Sequence, residues 1–456
     1  MQRSTDRSAE RPKARPDERT KPQSAELPTG RFSDKADVTA LLGAFCFFLS
    51  AIEYMLPKPL PFMRLGIANL PILLAVDILP FRWFLVLAAV KVIGMSLISG
   101  TLFSYIALFS LFGTLAAALA MWAMRRAGGR LVSQIGVSIV GAMVSNAAQV
   151  LIARFLVFRE TAWLIAPLFL AMGLITGGAL GLFAEHFARV SAWYAKAAGL
   201  PAPADGFLPE TAAAAAGCGK NAPAKGAFLR ASKSGTAAKN KRKEKAAAAR
   251  IIRRENAEAL FSPGALALAG LAVMLAFLGM KGIIPQVAML CLFVLATWAM
   301  GKRFSLLITL SVSLGIVVAN LIVPSGRVLA TIFGLRITQG ALLEGIEKAL
   351  TFEGLMFLSK AAIMSGLKLP GRIGRIVAAA FTYYDRIIEY KGKIRPAALA
   401  QDADALMKKV WESTETQVEI HSEAPGDPAT RRKGVVILAA ASLLAWTLAI
   451  YLALKP

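Results

Sequence analysis

The sequence predicts an all-α, polytopic membrane protein made of two helical bundles joined by a basic linker. Three observations carry that expectation. Of the 456 residues, 56% are hydrophobic, against about 45–50% apolar in a soluble domain. Several nearly uncharged runs approach the roughly 20 residues that a bilayer-spanning helix needs. The formal net charge of +24 lies mainly in the tails and connections between those runs, as the positive-inside bias requires. That placement marks the charge as topological and argues against a nucleic-acid partner, despite a pI near 10.2.

The linker, residues 191–262, holds thirteen Lys or Arg against five Asp or Glu. Rich in Ala, Gly, Pro and Lys, it buries too little apolar area to offset its ordering entropy. Its charge places it in the cytoplasm, with a surface helix expected within residues 239–260. The polar, Pro-rich residues 1–36 read as a disordered cytoplasmic tail, too long for the charged start of a signal peptide. The expected organisation is therefore tail 1–36, first membrane domain 37–190, linker 191–262, second membrane domain with cytoplasmic helices 263–430, and a terminal span 431–456.

The first span, residues 38–56, runs from inside to outside. Ala40 and Ala44 form a small-xxx-small pair that lets another helix approach closely. Next, PKPLPFMRLGIANLP brings three prolines into five positions and breaks the helix. It reads either as a re-entrant segment, its backbone satisfied by protein or water, or as an ordinary outer loop. Lys58, Arg64, Gly66 and Asn69 belong to it. Residues 65–78 are expected to return as a short span. The following span, residues 84–98, carries Lys91 near its middle. An ammonium at that depth costs at least about 2.5–3.5 kcal/mol, so it should face the bundle and meet Glu53, Asp77 or a bound anion, unless it snorkels.

Residues 102–124, 131–155 and 162–183 complete six spans. Asn146 and Gln149 share a helical face and suit either helix–helix hydrogen bonds or a ligand. The glycines of GLITGGALG permit close helix packing. Lys58, Arg64, Arg154 and Arg159 fall on the outer side, against the usual bias, and would form a cationic funnel for an anionic solute.

In the second half, residues 264–280, 283–300 and 304–323 read as three spans with short connections. Residues 335–369 are expected as one helix with a single polar stripe formed by Glu344, Glu347, Lys348, Glu353 and Lys360. Residues 376–430 should form surface helices on the membrane or against a soluble partner, before a last span at 434–454. In all, about five membrane helices are expected here.

LPKPLPFMRLGIANL, KVIGMSLISGTLFS and GVSIVGAMVSNAAQVLIA resemble the family of heptaprenyl diphosphate synthase component I, also called Gx transporters. Residues of about 38–190 thereby resemble the substrate-binding S component of energy-coupling factor (ECF) vitamin importers. ITQGALLEGIEKAL and the helical region after it resemble an ECF T component more loosely. The resemblance implies that Ala40 and Ala44 pack on a T component. It also implies that Arg372 and Arg375 couple to separate ABC-type ATPases.

No GxxxxGK[ST] occurs, so ATP would act through partner subunits. Neither is there a DDxxD pair to hold Mg²⁺ against a diphosphate. Cys46, Cys218 and Cys291, with His186 and His421, have no metal-ligand spacing. The expectation is thus a non-enzymatic subunit without a metal or cofactor of its own. It would sit in the bacterial cytoplasmic membrane, N-terminus inside. It would bind a small anionic or amphipathic solute, flavin-like vitamin or isoprenoid precursor, with Lys58, Arg64, Asn69, Lys91, Asn146 and Gln149. The alternative is a membrane accessory of a heptaprenyl or other prenyl diphosphate synthase.

Overall fold

A computed structural model describes residues 34–55, 66–201, 248–332, 335–364, 366–367, 369–390, 399–412 and 428–454. Lys58, Arg64, Cys218, His421, most of the tail and the middle of the linker lie outside the described residues. The chain is an all-α multi-pass membrane protein. Four stretches of the first half, including the long α5–α6 segment, and one at the C-terminal end are long and apolar enough to cross a bilayer.

The first bundle consists of α1 (Asp34–Met55), α2 (Leu70–Ile78), α3 (Phe81–Ser99), α4 (Tyr105–Gly128), α5 (Gln134–Ala153) and α6 (Ala162–Val190). The expected second span is corrected. α2 has only nine residues, about 14 Å of helix, and begins after a 3₁₀ turn over Ile67–Asn69. Gly66, at φ +83°, makes the left-handed entry into that turn. α2 therefore reaches only part-way across the bilayer, and Ala68 in the turn before it is buried.

α5 and α6 meet closely because Gly173, Gly177 and Gly181 put one small residue on the same face every four positions. A Cβ at Gly177 would stand 3.0 Å from Ile139 Cα, and one at Gly181 2.5 Å from Ile135 Cα. The reading of GLITGGALG as a close-packing face matches this contact. Beyond α6 the chain continues into α7 (Ala192–Ala197), whose Trp193 and Tyr194 are buried. The first ordered part of the linker is thus packed against the bundle.

The other end of the linker is helical as well: α8, Ala248–Leu260, meets α9 (Pro263–Gly279) at 91°. α10 (Ile283–Ala299) and α11 (Leu306–Leu321) follow, both apolar but short. α8 lies against the turn between them. Arg253 stacks 4.1 Å from the centre of the Trp298 ring, and Gly301, at φ +67°, leaves room for the Arg250 carbonyl.

Residues 335–369 are not one helix. β1 (Val328–Ile332) and β2 (Leu335–Thr338) form an antiparallel hairpin, and α12 runs from Gln339 to Ala362. The β-branched, alternating run LRIT favours the strand over a helical extension. A single polar stripe is not present either. At 100° per residue Glu344 and Glu353 fall on opposite sides of α12.

α13 (Gly371–Tyr390) and α14 (Leu399–Glu412) are strongly amphipathic. Their apolar faces, however, are buried by the first bundle, which corrects the expectation of a membrane surface or soluble partner. Ile376, Val377, Ala380, Tyr383 and Ile387 of α13 join one core with Ala40, Leu41 and Ala44 of α1. Phe47 closes that contact, its ring centre 5.3 Å from Phe381 and 6.0 Å from Tyr384. α14 docks on the far end, where Asp404 accepts hydrogen bonds from the Ser191 hydroxyl and, at 3.0 Å, from the Trp193 N–H. α15 (Pro428–Leu454) packs on α9.

Candidate functional site

A cavity of about 200 Å³ opens inside the first bundle. Polar interruptions in otherwise apolar helices supply much of its lining. Lys91 enters from the middle of α3 and is 4% exposed. Its ammonium donates to the side-chain carbonyl of Asn69 and, at 3.3 Å, to the Thr114 hydroxyl of α4. Asn69 can reach it because the 3₁₀ turn Ile67–Asn69 sets it at the start of α2, beside α3. The expected acidic partner Asp77 is elsewhere.

Glu53, at the end of α1, is 5% exposed. Its carboxylate accepts from the N–H groups of Gly66 and Ala68, both at 3.3 Å. Those are the backbone donors that the break before α2 leaves without a helical carbonyl. A buried carboxylate thus satisfies an irregular backbone, as membrane depth demands.

Asn146 and Gln149 line the opposite wall. The Asn146 amide donates to the Phe169 carbonyl of α6 at 2.6 Å, so its N–H₂ is used in helix–helix bonding. Gln149 donates to the Ser145 hydroxyl at 3.1 Å. Gly113 of α4 leaves room for both side chains, since a Cβ there would lie 3.0 Å from Gln149 Nε2 and 3.1 Å from Ser145 Oγ. Leu73, Met95, Phe109 and Leu180 supply apolar wall.

Of the six residues expected to bind a solute, Asn69, Lys91, Asn146 and Gln149 therefore line one cavity. Lys58 and Arg64 lie outside the described residues. The funnel is corrected at its two described members. Arg154 pairs with Glu160 at 2.7 Å and stacks on Trp163, and Arg159 pairs with Glu344 of α12 at 3.0 Å. Both are therefore engaged by carboxylates, although Glu344 is shared with Lys348.

Among the lining residues that sequence reasoning did not assign to the site, three matter most. Thr114 has no signal in an apolar run. Met356 and Lys360 come from α12, in the other half of the chain. Phe352, Met356 and Ser359, spaced i, i+4, i+7, are turned toward the first bundle. The Phe352 ring packs 6.2 Å from Tyr105, and the Ser359 hydroxyl accepts from the Phe103 N–H at 3.0 Å. Glu344 and Ser359, about 22 Å apart along α12, touch the two loops at the same end of the first bundle. α12 consequently lies across that end of the bundle, where Met356 and Lys360 reach the cavity wall.

At the bundle's other end Asp77 gathers four elements. Arg125 reaches it at 2.6 and 2.7 Å, Gln134 at 2.5 Å and the Tyr194 hydroxyl at 3.3 Å. Burial, then the adjacent carboxylate, holds the Tyr194 hydroxyl well above the ordinary tyrosine range. Among the described residues no group of three or more His, Cys, Asp or Glu could hold a metal ion. Ala40 and Ala44 face α13 of the same chain, while Arg372 and Arg375 are exposed on the first turn of α13.

Residues 263–365 match a domain of unknown function, DUF8519. No curated protein and no solved structure matches the chain. Residues 42–187, which hold the cavity apart from the α12 residues, match the family described as heptaprenyl diphosphate synthase component I. Over those residues the first bundle is similar to the heptaprenyl diphosphate synthase component I family, the one that its own sequence resembles.

Proposed function

We propose that this chain is the membrane subunit of an ECF-type importer, in which the first bundle captures a small anionic or amphipathic solute. One observation carries the reading: Lys91, Asn69, Gln149 and an apolar wall converge on one cavity within the bilayer-spanning part. A buried ammonium at that depth is expensive to keep and is retained where an anion or a proton path uses it. The cavity's volume lies below the roughly 300–1,000 Å³ of sites for drug-sized ligands. That favours a short isoprenoid phosphate over a flavin-like vitamin.

In this reading the basic linker and the N-terminus lie inside, in a bacterial cytoplasmic membrane. The solute enters from outside. The chain catalyses no reaction itself, and ATP is hydrolysed by partner subunits that meet Arg372 and Arg375. The packing of α1 on α13 supports the coupling, since movement of α13 would reach the cavity wall through α1.

A second reading, an accessory membrane component of a prenyl diphosphate synthase, is favoured by the family description. Affinity purification of the tagged chain from its own cells separates the two. A pair of ATPases travelling with it supports import. A soluble synthase bearing DDxxD motifs, without ATPases, replaces it.

A further inference from the structure

We infer that the cavity is a composite site, in which Lys360 of α12 supplies a second cation that the occupant's anionic group must engage. The inference rests on the reading of the cavity as an anion site and adds that the first bundle alone does not complete it. Lys360 lies on the cavity wall with Met356, beside the loop between α3 and α4. There its Cα stands 3.6 Å from where a Cβ on Gly100 would be.

Its position is fixed rather than incidental. The preceding Ser359 takes the Phe103 N–H, and Phe352 packs on Tyr105 two turns earlier. Among the described residues Lys360 makes no ion pair. Its ammonium lies 5.7 Å from the centre of the Phe357 ring, a contact that leaves its donors open.

Among the described residues, the charged groups lining the cavity are Lys91, Lys360 and Glu53. Glu53 is occupied with backbone N–H groups, and Lys91 is held by Asn69 and Thr114. The described part of the wall therefore carries one more positive charge than negative. Lys360 is the cation best placed to take an incoming phosphate or carboxylate. The ligand class is an amphipathic anion: head between the two ammonium groups, tail against Leu73, Met95, Phe109 and Met356. Because Lys360 belongs to the second half, such an occupant joins the two halves and favours the state in which α12 covers the cavity.

The test uses the full chain in nanodiscs. Its thermal midpoint is followed against dimethylallyl diphosphate, inorganic diphosphate, flavin mononucleotide and, as a neutral control, dimethylallyl alcohol. At least one of the anions should stabilise the wild type, and the alcohol should not. K360Q should weaken that anion by about tenfold or more, the scale of one lost charge-assisted hydrogen bond. K360R should stay within about threefold of wild type, as retention of the charge requires. Unchanged affinity in K360Q overturns the composite site and leaves the proposed function standing. If no anion stabilises the wild type, the anion-site reading falls and this inference with it. Should K360Q not fold, M356A serves instead: it should weaken dimethylallyl diphosphate and spare inorganic diphosphate, and equal loss of both counts against the arrangement.

Discussion

Lys91 is the residue on which the site turns. The residue is 4% exposed, and its ammonium donates to Asn69 and Thr114. Lys91→Ala should abolish uptake of the solute while leaving membrane insertion intact, since the remaining α3 is more apolar than before. One charge-assisted hydrogen bond is worth about 1.5–3 kcal/mol, so solute affinity should fall at least tenfold. Undiminished uptake in vesicles would remove Lys91 from the site. Lys302, in the turn between α10 and α11, makes a pH prediction. Burial first, then the nearby Arg254, lowers its pKa below the ordinary lysine value, although Glu258 opposes this. A lysine with a depressed folded-state pKa binds fewer protons folded than unfolded, so stability rises with pH between the two values. Lys302→Met should therefore raise the thermal midpoint at pH 7, and the gain should shrink as pH approaches about 10.4, the unperturbed lysine value. A midpoint that falls at pH 7 would show that the amine is held by favourable contacts.

At the scale of elements, small residues decide which helices can meet. Gly181→Val would drive a side chain into the backbone of α5, where even a Cβ lies 2.5 Å from Ile135 Cα. The expected loss is about 1–3 kcal/mol, the usual cost of overpacking, read as a lower midpoint in detergent. Gly178 has open space at its Cβ, so Gly178→Val should leave the midpoint nearly unchanged. α12 is the element that sequence patterning described least well. Its charges are divided between two faces. Glu344, paired with Lys348 at 2.9 Å and with Arg159, anchors one end. Lys360 enters the cavity at the other. Helical periodicity assigns both to α12, but it does not say which neighbour each face will meet.

Across the whole molecule, the two halves are joined by packing as well as by the linker. α1 lies along α13, and Gly43 sits at the seam, where a Cβ would be 2.9 Å from Val90 Cγ1 and 3.4 Å from Ala380 Cβ. Gly43→Leu should wedge α1 away from α13. Hydrogen exchange of α13 amides should then speed up by an order of magnitude or more, as local opening becomes easier. Protection equal to wild type would mean that α13 is held mainly by α3 and α14. If the importer reading is right, the same variant should also uncouple ATP hydrolysis from uptake without altering binding by the cavity.

The amino-acid sequence by itself determined the class of the protein, the approximate positions of most spans, and the few polar side chains that must hide from lipid. Hydrophobic run length and the cost of a buried charge are local properties, so Lys91, Asn146 and Gln149 stood out without any partner in view. Tertiary structure alone decided that Asn69 reaches Lys91, that Glu53 caps the broken backbone, and that Asp77 binds Arg125 instead. It also decided that α13 covers α1 and that α12 lends Met356 and Lys360 to the cavity wall. An apolar face is satisfied equally by lipid, by a partner or by another helix of its own chain. Periodicity therefore tells which face is buried, while only the packed fold selects what buries it.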